Sequence, residues 1–555
     1  MSIWGSKKKG NDEEGHGSAR EFGEQHTHDS LDGGDRSSQR EPTERDRLLP
    51  LNPRPPHSDG YLDPDDPAVS PYNLWTVRAL RSVTVLFAAI TFVWWVLLFV
   101  SIFVSPPGLH TRGSGFLDFS YTTLTLGLLL CSLLFFSAPS MAMRVCQASL
   151  AVLLLVDLLI IVSVGRVRSE EGPPGIASAA WATAIAAWCV MLDRVVAWGK
   201  REEEERLTGR PETRRTLREW LSVLLATIIL VIYIVIVVFM TAALIIRSRD
   251  ASLKWDGDRI AVDGGKFKVH LTCVGNSSID ATTGKPYPTV LLEAAEEPVE
   301  YDFENLLYTS KNNGTISRYC YWDRPGYAFS DNAPSPHSAG MAAENLAEAL
   351  AIQGEQGPWI LVSAGYGSIV SRIFSSRNRE DVVGIMLIDP LHEDFLHQLA
   401  SPTRGFMLWA WGVISPLAIQ RILGALFQGR TREDRVYGKD VFSGGKFLKA
   451  QLQESLVADS LTLNEVRTAR TIQDKETPLV VVSSGIKTRS SKEWEKKQED
   501  LTKITGNLVS WDIVNKAPHH VWRTSDGKNL LEKRLGKLVK EGRKLTHLRA
   551  EAEHN

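Results

Sequence analysis

From Leu221 to Ile246 the chain carries almost no polar side chain, and this run constrains the fold more than any average over the composition. A bilayer's hydrocarbon core takes about 20 apolar residues as a helix. An amphipathic helix of a soluble domain would interrupt such a run every few positions. Four comparable stretches precede it, at about 79–104, 116–137, 145–165 and 176–198, with the fifth at about 220–246. Pro106-Pro107, Pro139 and Pro173-Pro174 fall in the short gaps. The pattern predicts an all-α transmembrane region of five helices over residues 71–249. A mean hydropathy of −0.11 conceals it, because a polar head and an ordinary globular half dilute the apolar part.

Charge predicts the orientation, since Lys and Arg collect on cytosolic loops. Arg194, Lys200, Arg201, Arg206, Arg210, Arg214, Arg215 and Arg218 lie between the fourth and fifth stretches. Arg78 and Arg81 precede or open the first, and Arg144 separates the second from the third. The alternate loops hold Arg112, then Arg166 and Arg168; Arg247 and Arg249 weigh on that same side. A cytosolic N-terminus follows, and an odd number of spans carries the C-terminal half to the luminal or extracellular side. Asp157, mid-way along the third stretch, is either a functional intramembrane carboxylate or a hydrogen-bonded structural one.

Residues 1–70 are rich in Gly, Ser, Pro and charge without apolar periodicity, a composition expected to stay disordered. Within them Glu44-Arg45-Asp46-Arg47-Leu48-Leu49 is similar to an acidic dileucine sorting signal, with Glu44, Leu48 and Leu49 as its determinants, or is an ordinary linker. A net charge of −2 gives no general field for nucleic acid, so no nucleic-acid partner is expected. Of five cysteines, Cys131, Cys146 and Cys189 sit in apolar stretches and read as packing residues. No C-x-x-C or Cys/His cluster points to a metal, and nothing calls for a cofactor. Asn276-Ser277-Ser278 and Asn313-Gly314-Thr315 are glycosylation sequons, which fit a luminal C-terminal half.

From about residue 258 short β-type runs alternate with helical ones, which predicts a largely parallel sheet covered on both faces. The runs include Lys268–Cys273, Thr289–Leu292, Ser317–Trp322, Trp359–Val362, Ile385–Ile388, Leu479–Val482 and Leu508–Trp511. Four landmarks stand among them. They are Asp323-Arg324-Pro325-Gly326-Tyr327-x-x-Ser330-Asp331, Ser363-Ala364-Gly365-Tyr366-Gly367, Ile388-Asp389-Pro390-x-His392-Glu393-Asp394, and Ala517-Pro518-His519-His520-Val521. In type, order and spacing they resemble the α/β-hydrolase superfamily over about residues 264–540. The whole arrangement is similar to a fungal integral-membrane family, some members of which carry a mitochondrial label. The resemblance implies an α/β-hydrolase domain at 258–540, a helical cap at about 391–476, and a polar tail at 541–555. It also implies that the strands bearing Cys273 and Cys320 are neighbours, and hence a Cys273–Cys320 disulfide.

The same resemblance assigns the chemistry. The base falls on His519, with His520 as a stand-in. The acid falls on Asp389, which could equally be a structural strand-end residue. The oxyanion loop falls on Ala295 and Glu296, with Tyr366 after the elbow. The nucleophile position is Gly365, which has no atom to attack a carbonyl. Ser363 and Ser368 flank it as displaced substitutes. Glu296 is a second departure, because a carboxylate opposes a developing oxyanion unless it points to solvent. The leading expectation is a degenerate hydrolase that binds a ligand or organises a membrane complex. The alternatives are an active serine hydrolase on ester or lipid substrates, and a transporter-like bundle with a regulatory domain. Apart from the bilayer, the expected partner is a lipid-like ligand or a protein. Phe406–Ile414 in the cap is apolar enough to rest on the bilayer, or to pack over the pocket mouth. The vacuole or endosome is favoured as the location, ahead of a mitochondrial or plasma membrane.

Overall fold

The computed structural model describes residues 71–209, 216–279, 284 and 286–554. Glu44, Leu48 and Leu49 lie outside them, as does the segment expected to be disordered. Among the described residues five helices are long and apolar enough to cross a membrane. They are α1 (Trp75–Phe103), α2 (Phe116–Leu134), α3 (Met141–Ser163), α4 (Gly165–Thr208) and α5 (Leu217–Asp250). Pro173 and Pro174 do not divide α4 from its neighbour, as their place in the sequence had implied. They follow a break inside it at Gly172, where φ is 64°. Asp157 is fully buried and accepts a hydrogen bond from Tyr121 Oη at 3.0 Å, which ties α3 to α2.

The C-terminal half is built on eight strands: β1 (Asp258–Val262), β2 (Phe267–Val274), β3 (Thr289–Glu293), β4 (Tyr319–Trp322), β5 (Trp359–Ala364), β6 (Val382–Ile388), β7 (Pro478–Ser484) and β8 (Asn507–Val514). Their order is β1-β2-β4-β3-β5-β6-β7-β8. β2 runs antiparallel to β1 and β4, and the pairs from β4 through β8 are parallel. Successive side chains of a strand face opposite sides. Leu291, Leu361, Ile385, Leu387 and Val481 therefore enter one core, while Val290, Leu292, Val362, Met386 and Val482 enter the other. Both faces are covered, which is why the central strands are continuous apolar runs.

Helices α6 (Glu304–Asn312), α7 (Ala339–Gln353) and α8 (Gly367–Arg377) lie in the three successive connections from β3 to β6. Between β6 and β7 lies a helical cap: α9 (Leu396–Leu399), α10 (Pro402–Ile414), α11 (Ile419–Phe427), α12 (Arg432–Val436), α13 (Gly445–Val457) and α14 (Leu463–Ile472). Helices α15 (Gly485–Ser490), α16 (Lys492–Leu501) and α17 (Ser525–His554) complete the domain. The segment expected as a free polar tail at 541–555 continues α17 as far as His554. Leu545 is buried in the core, and Arg549 pairs with Asp474 at 2.6 Å, so the residues have packing partners that their polarity concealed.

The α/β domain sits directly on one end of the bundle. Ser105 N–H donates to the Ser335 carbonyl at 2.8 Å, and Asn332 N–H to the Arg112 carbonyl at 2.8 Å. Arg166 stacks on Trp255 and Phe329. Gly412 of α10 packs on Phe116, and Trp409 meets Phe99 at 6.0 Å between ring centres. Cap segments Pro402–Leu417 and Ile419–Phe427 meet at 52°.

Candidate functional site: the turn after β5

β5 turns into α8 through Gly365, whose φ of 47° favours a residue without Cβ. Two positions later a Cβ on Gly367 would overlap the Ala294 carbonyl. The elbow and the loop after β3 are thus pressed together. That loop is held from the other side by Arg324, whose Nη1 donates to Glu293 Oε1 (2.9 Å) and the Ala294 carbonyl (2.6 Å), and whose Nη2 donates to the Ala295 carbonyl (2.6 Å). The Asp-Arg-Pro-Gly landmark therefore fixes the loop after β3. Its Asp323 is fixed in turn by His270, which donates Nε2–H to the Asp256 carbonyl and bonds Asp323 through Nδ1 at 2.8 Å.

This clamp delivers Glu296 into the site. Its Oε1 accepts the Tyr366 N–H at 3.1 Å, and its Oε2 lies 3.0 Å from His519 Nε2. A Cβ placed on Gly365 would stand 2.5 and 2.6 Å from the two carboxylate oxygens. Glu296 thus occupies the space in which a nucleophile's side chain would stand. It does not turn to solvent, although 42% of its side chain remains accessible at the mouth.

On the other side, His519 Nδ1 lies 2.5 Å from Asp389 Oδ2. Asp389 is fully buried at φ 40°, and its Oδ1 accepts from Ser484 N–H at 3.0 Å and Trp494 Nε1 at 3.2 Å. Lys487 completes the group. Its Nζ lies 3.1 Å from His519 Nδ1 and 3.4 Å from Asp389 Oδ2, and it stacks over Trp494. Burial alone would lower the pKa of His519, but the hydrogen bonds to Asp389 and Glu296 outweigh it and raise it to about 9. Burial would raise that of Glu296, yet His519 and the Tyr366 N–H lower it to about 2. These opposite shifts make His519 and Glu296 an ion pair, with Asp389 and Lys487 at the other ring nitrogen.

The remaining expected residues lie elsewhere. Ser363 is buried within β5, and its hydroxyl has no hydrogen-bond partner. Ser368 is buried, donates to the Gly365 carbonyl at 2.6 Å and accepts from Leu391 N–H. His520 faces Glu297 at 3.3 Å, away from Asp389. Cys273 and Cys320 are register partners on β2 and β4 and are joined by a disulfide. Asn276 and Asn313 are exposed, and Asn313 Nδ2 donates to Glu532. Lys487 and Trp494 carried no signal in the sequence, because neither belongs to any of the four landmarks. Arg324 lay inside a recognised landmark but had no assigned role.

Residues 44–273 match a family described as a region of unknown function, DUF2417. An uncharacterized protein of Schizosaccharomyces pombe is 32% identical over 530 residues, which cover 90% of this chain and 97% of that protein. An uncharacterized vacuolar membrane protein of Saccharomyces cerevisiae is 28% identical over 330 residues, 51% of each chain. Among solved structures, an esterase from Exiguobacterium antarcticum aligns with 51% of this chain and 99% of its own, at 15% identity and a TM-score of 0.35. The alpha/beta hydrolase domain-containing protein 10 from mouse does so over 51% and 99%, at 10% identity and a TM-score of 0.34. The near full-length match to the fission-yeast protein, together with the strand order and the five helices long and apolar enough to cross a membrane among the described residues, places this chain in one family with it, a fungal family of multi-pass membrane proteins with an α/β-hydrolase-fold domain.

Proposed function

We propose that the protein is a membrane-embedded pseudohydrolase of the endomembrane system. Its α/β domain faces the lumen and serves as a ligand-binding or scaffolding module. The observation that carries this reading is the seating of Glu296. Its carboxylate fills the nucleophile's space, takes the Tyr366 amide an oxyanion would need, and holds His519 as a cation. A general base must be free of its proton at the working pH, and His519 is not. Neither flanking serine is accessible.

The luminal placement rests on the odd number of spans, the loop charges, the exposed sequons and the disulfide, which an oxidising compartment preserves. The vacuole is favoured by the name of the budding-yeast relative and by the dileucine-like stretch. In the cap, Phe406, Trp411, Leu426 and Phe427 are exposed beside the bundle, an apolar face suited to lie in the headgroup layer.

The test is covalent labelling of the purified full-length protein by a fluorophosphonate probe. No adduct is expected. An adduct that disappears in Ser363→Ala or Ser368→Ala would establish a displaced serine nucleophile and overturn the proposal.

A further inference from the structure

Where the bundle meets the α/β domain there is a cavity of about 140 Å³, enough for roughly ten waters. It lies away from the elbow, and its lining is amphipathic. Leu117, Val167, Met240 and Leu244 supply an apolar side from α2, α4 and α5. Arg166, Arg247, Arg421, Arg435 and Lys446 supply cations, against the carboxylates Glu170 and Asp250.

The pairing within this set is uneven. Arg435 binds Asp250 in two contacts, Nε to Oδ2 at 2.9 Å and Nη2 to Oδ1 at 2.6 Å. Arg247 takes Glu170 Oε2 at 2.6 Å and also meets Glu171 behind it. These contacts take up both oxygens of Asp250 and one of Glu170. Asp331, close to Lys446, is engaged by Arg259 and by the Lys268 N–H, while Asp440 lies 3.7 Å from Arg430 and keeps a buried Oδ2 without a hydrogen bond.

Three of the cations keep donors to spare. Arg166 stacks on Trp255 and Phe329, with its Nε 3.3 Å from Glu170 Oε1 and its Nη2 3.5 Å from the Phe329 carbonyl. Lys446 Nζ is 3.6 Å from the same oxygen and 3.5 Å from the Ala328 carbonyl. Arg421 approaches Asp250 only to 3.6 Å, and its Nε is buried without a partner. Buried donors without acceptors cost free energy. Donors converging from α4, α11 and the start of α13 suit one anion with several acceptor oxygens, which a phosphate group provides.

We propose that this junction is a binding site for a phosphate-bearing anion, held by Arg166, Arg421 and Lys446, with the apolar side accommodating the carbon attached to the phosphate. The site is independent of the pseudohydrolase reading. A phospholipid headgroup and a free phosphate offer the same chemistry, and the experiment separates them.

The full-length protein in neutral detergent is melted with inorganic phosphate, with phosphatidic acid in mixed micelles, and with diacylglycerol as the uncharged control. A rise of several degrees with a phosphate-bearing probe and none with diacylglycerol is expected. A rise with phosphatidic acid alone assigns a lipid headgroup, and a rise with inorganic phosphate assigns a free anion. The rise should vanish in Arg421→Gln and Lys446→Met, and persist in Arg523→Gln, whose partners Glu297 and Asp302 lie elsewhere. No rise with either probe, or a rise undiminished in both cavity variants, overturns the proposal. Equilibrium dialysis of labelled phosphate and labelled phosphatidic acid against the wild-type protein decides the matter without variants. Saturation near one per chain by either supports the site, and absence of saturable binding by both removes it.

Discussion

Gly365 and Glu296 compete for one volume, so their substitutions should be coupled. Gly365→Ser places a side chain against the Glu296 carboxylate, at a positive φ that costs a non-glycine residue about 1 kcal/mol by itself. Glu296→Ala removes the obstruction. The double variant should recover stability with a coupling of about 0.5–3 kcal/mol, measured by denaturant melting of all four proteins. The ion pair sets a pH window. His519 is raised from 6.5 to about 9, so its contribution is complete below 6.5 and is lost as pH climbs through about 9. Glu296 is lowered from 4.5 to about 2, so its contribution is complete above 4.5 and is lost as pH falls through about 2. Both contributions are complete between about pH 4.5 and 6.5, and an NMR titration of the His519 ring should show its proton leaving near 9. Glu296→Gln should bring that midpoint down; an unmoved midpoint would separate Glu296 from the charge state of His519.

At the scale of elements, Arg324 straps the loop after β4 to the loop after β3. Arg324 is buried, and its removal would leave Glu293 with Trp322 alone as a donor and two carbonyls unpaired. Arg324→Ala should cost about 3–5 kcal/mol. Arg324→Lys should recover little of it, because an ammonium lacks the planar fork that reaches three acceptors. Limited proteolysis of the loop at 294–298 gives the local readout. The disulfide staples β2 to β4 across a sequence separation of 47 residues. Replacing both cysteines by serine should cost about 2–4 kcal/mol, seen as a lower unfolding midpoint that reductant no longer shifts.

For the whole molecule, the α/β domain and the bundle share one interface, so the side on which the domain lies is a single property of the chain. In cells that glycosylate, endoglycosidase should increase the mobility of the wild-type protein and leave an Asn276→Gln/Asn313→Gln variant unchanged. An unglycosylated wild-type protein with both sequons intact would contradict the luminal placement. The exposed face of the cap gives a second check. Trp411 fluorescence should be quenched by bromine carried on lipid chains near the headgroup, and less by bromine at the bilayer centre.

The sequence by itself determined the five spans, the order of the domain and the identity of the elbow. Apolar length, short continuous β-branched runs and the spacing of short landmarks are local properties, and Leu221–Ile246, Val480–Val482 and Ser363–Gly367 display them without reference to the rest of the chain. It also identified Gly365, His519 and Asp389 as the positions to examine. Tertiary structure decided what fills the vacancy at Gly365. In the sequence Glu296 could turn either to solvent or into the site. Gly367 against Ala294 and Arg324 across the loop carbonyls direct it inward, to His519 more than two hundred residues away. Lys487 beside Asp389 and the cations gathered at the junction were hidden for the same reason. A side chain's partner depends on which distant elements the fold brings within a few ångströms, and no local pattern encodes that distance.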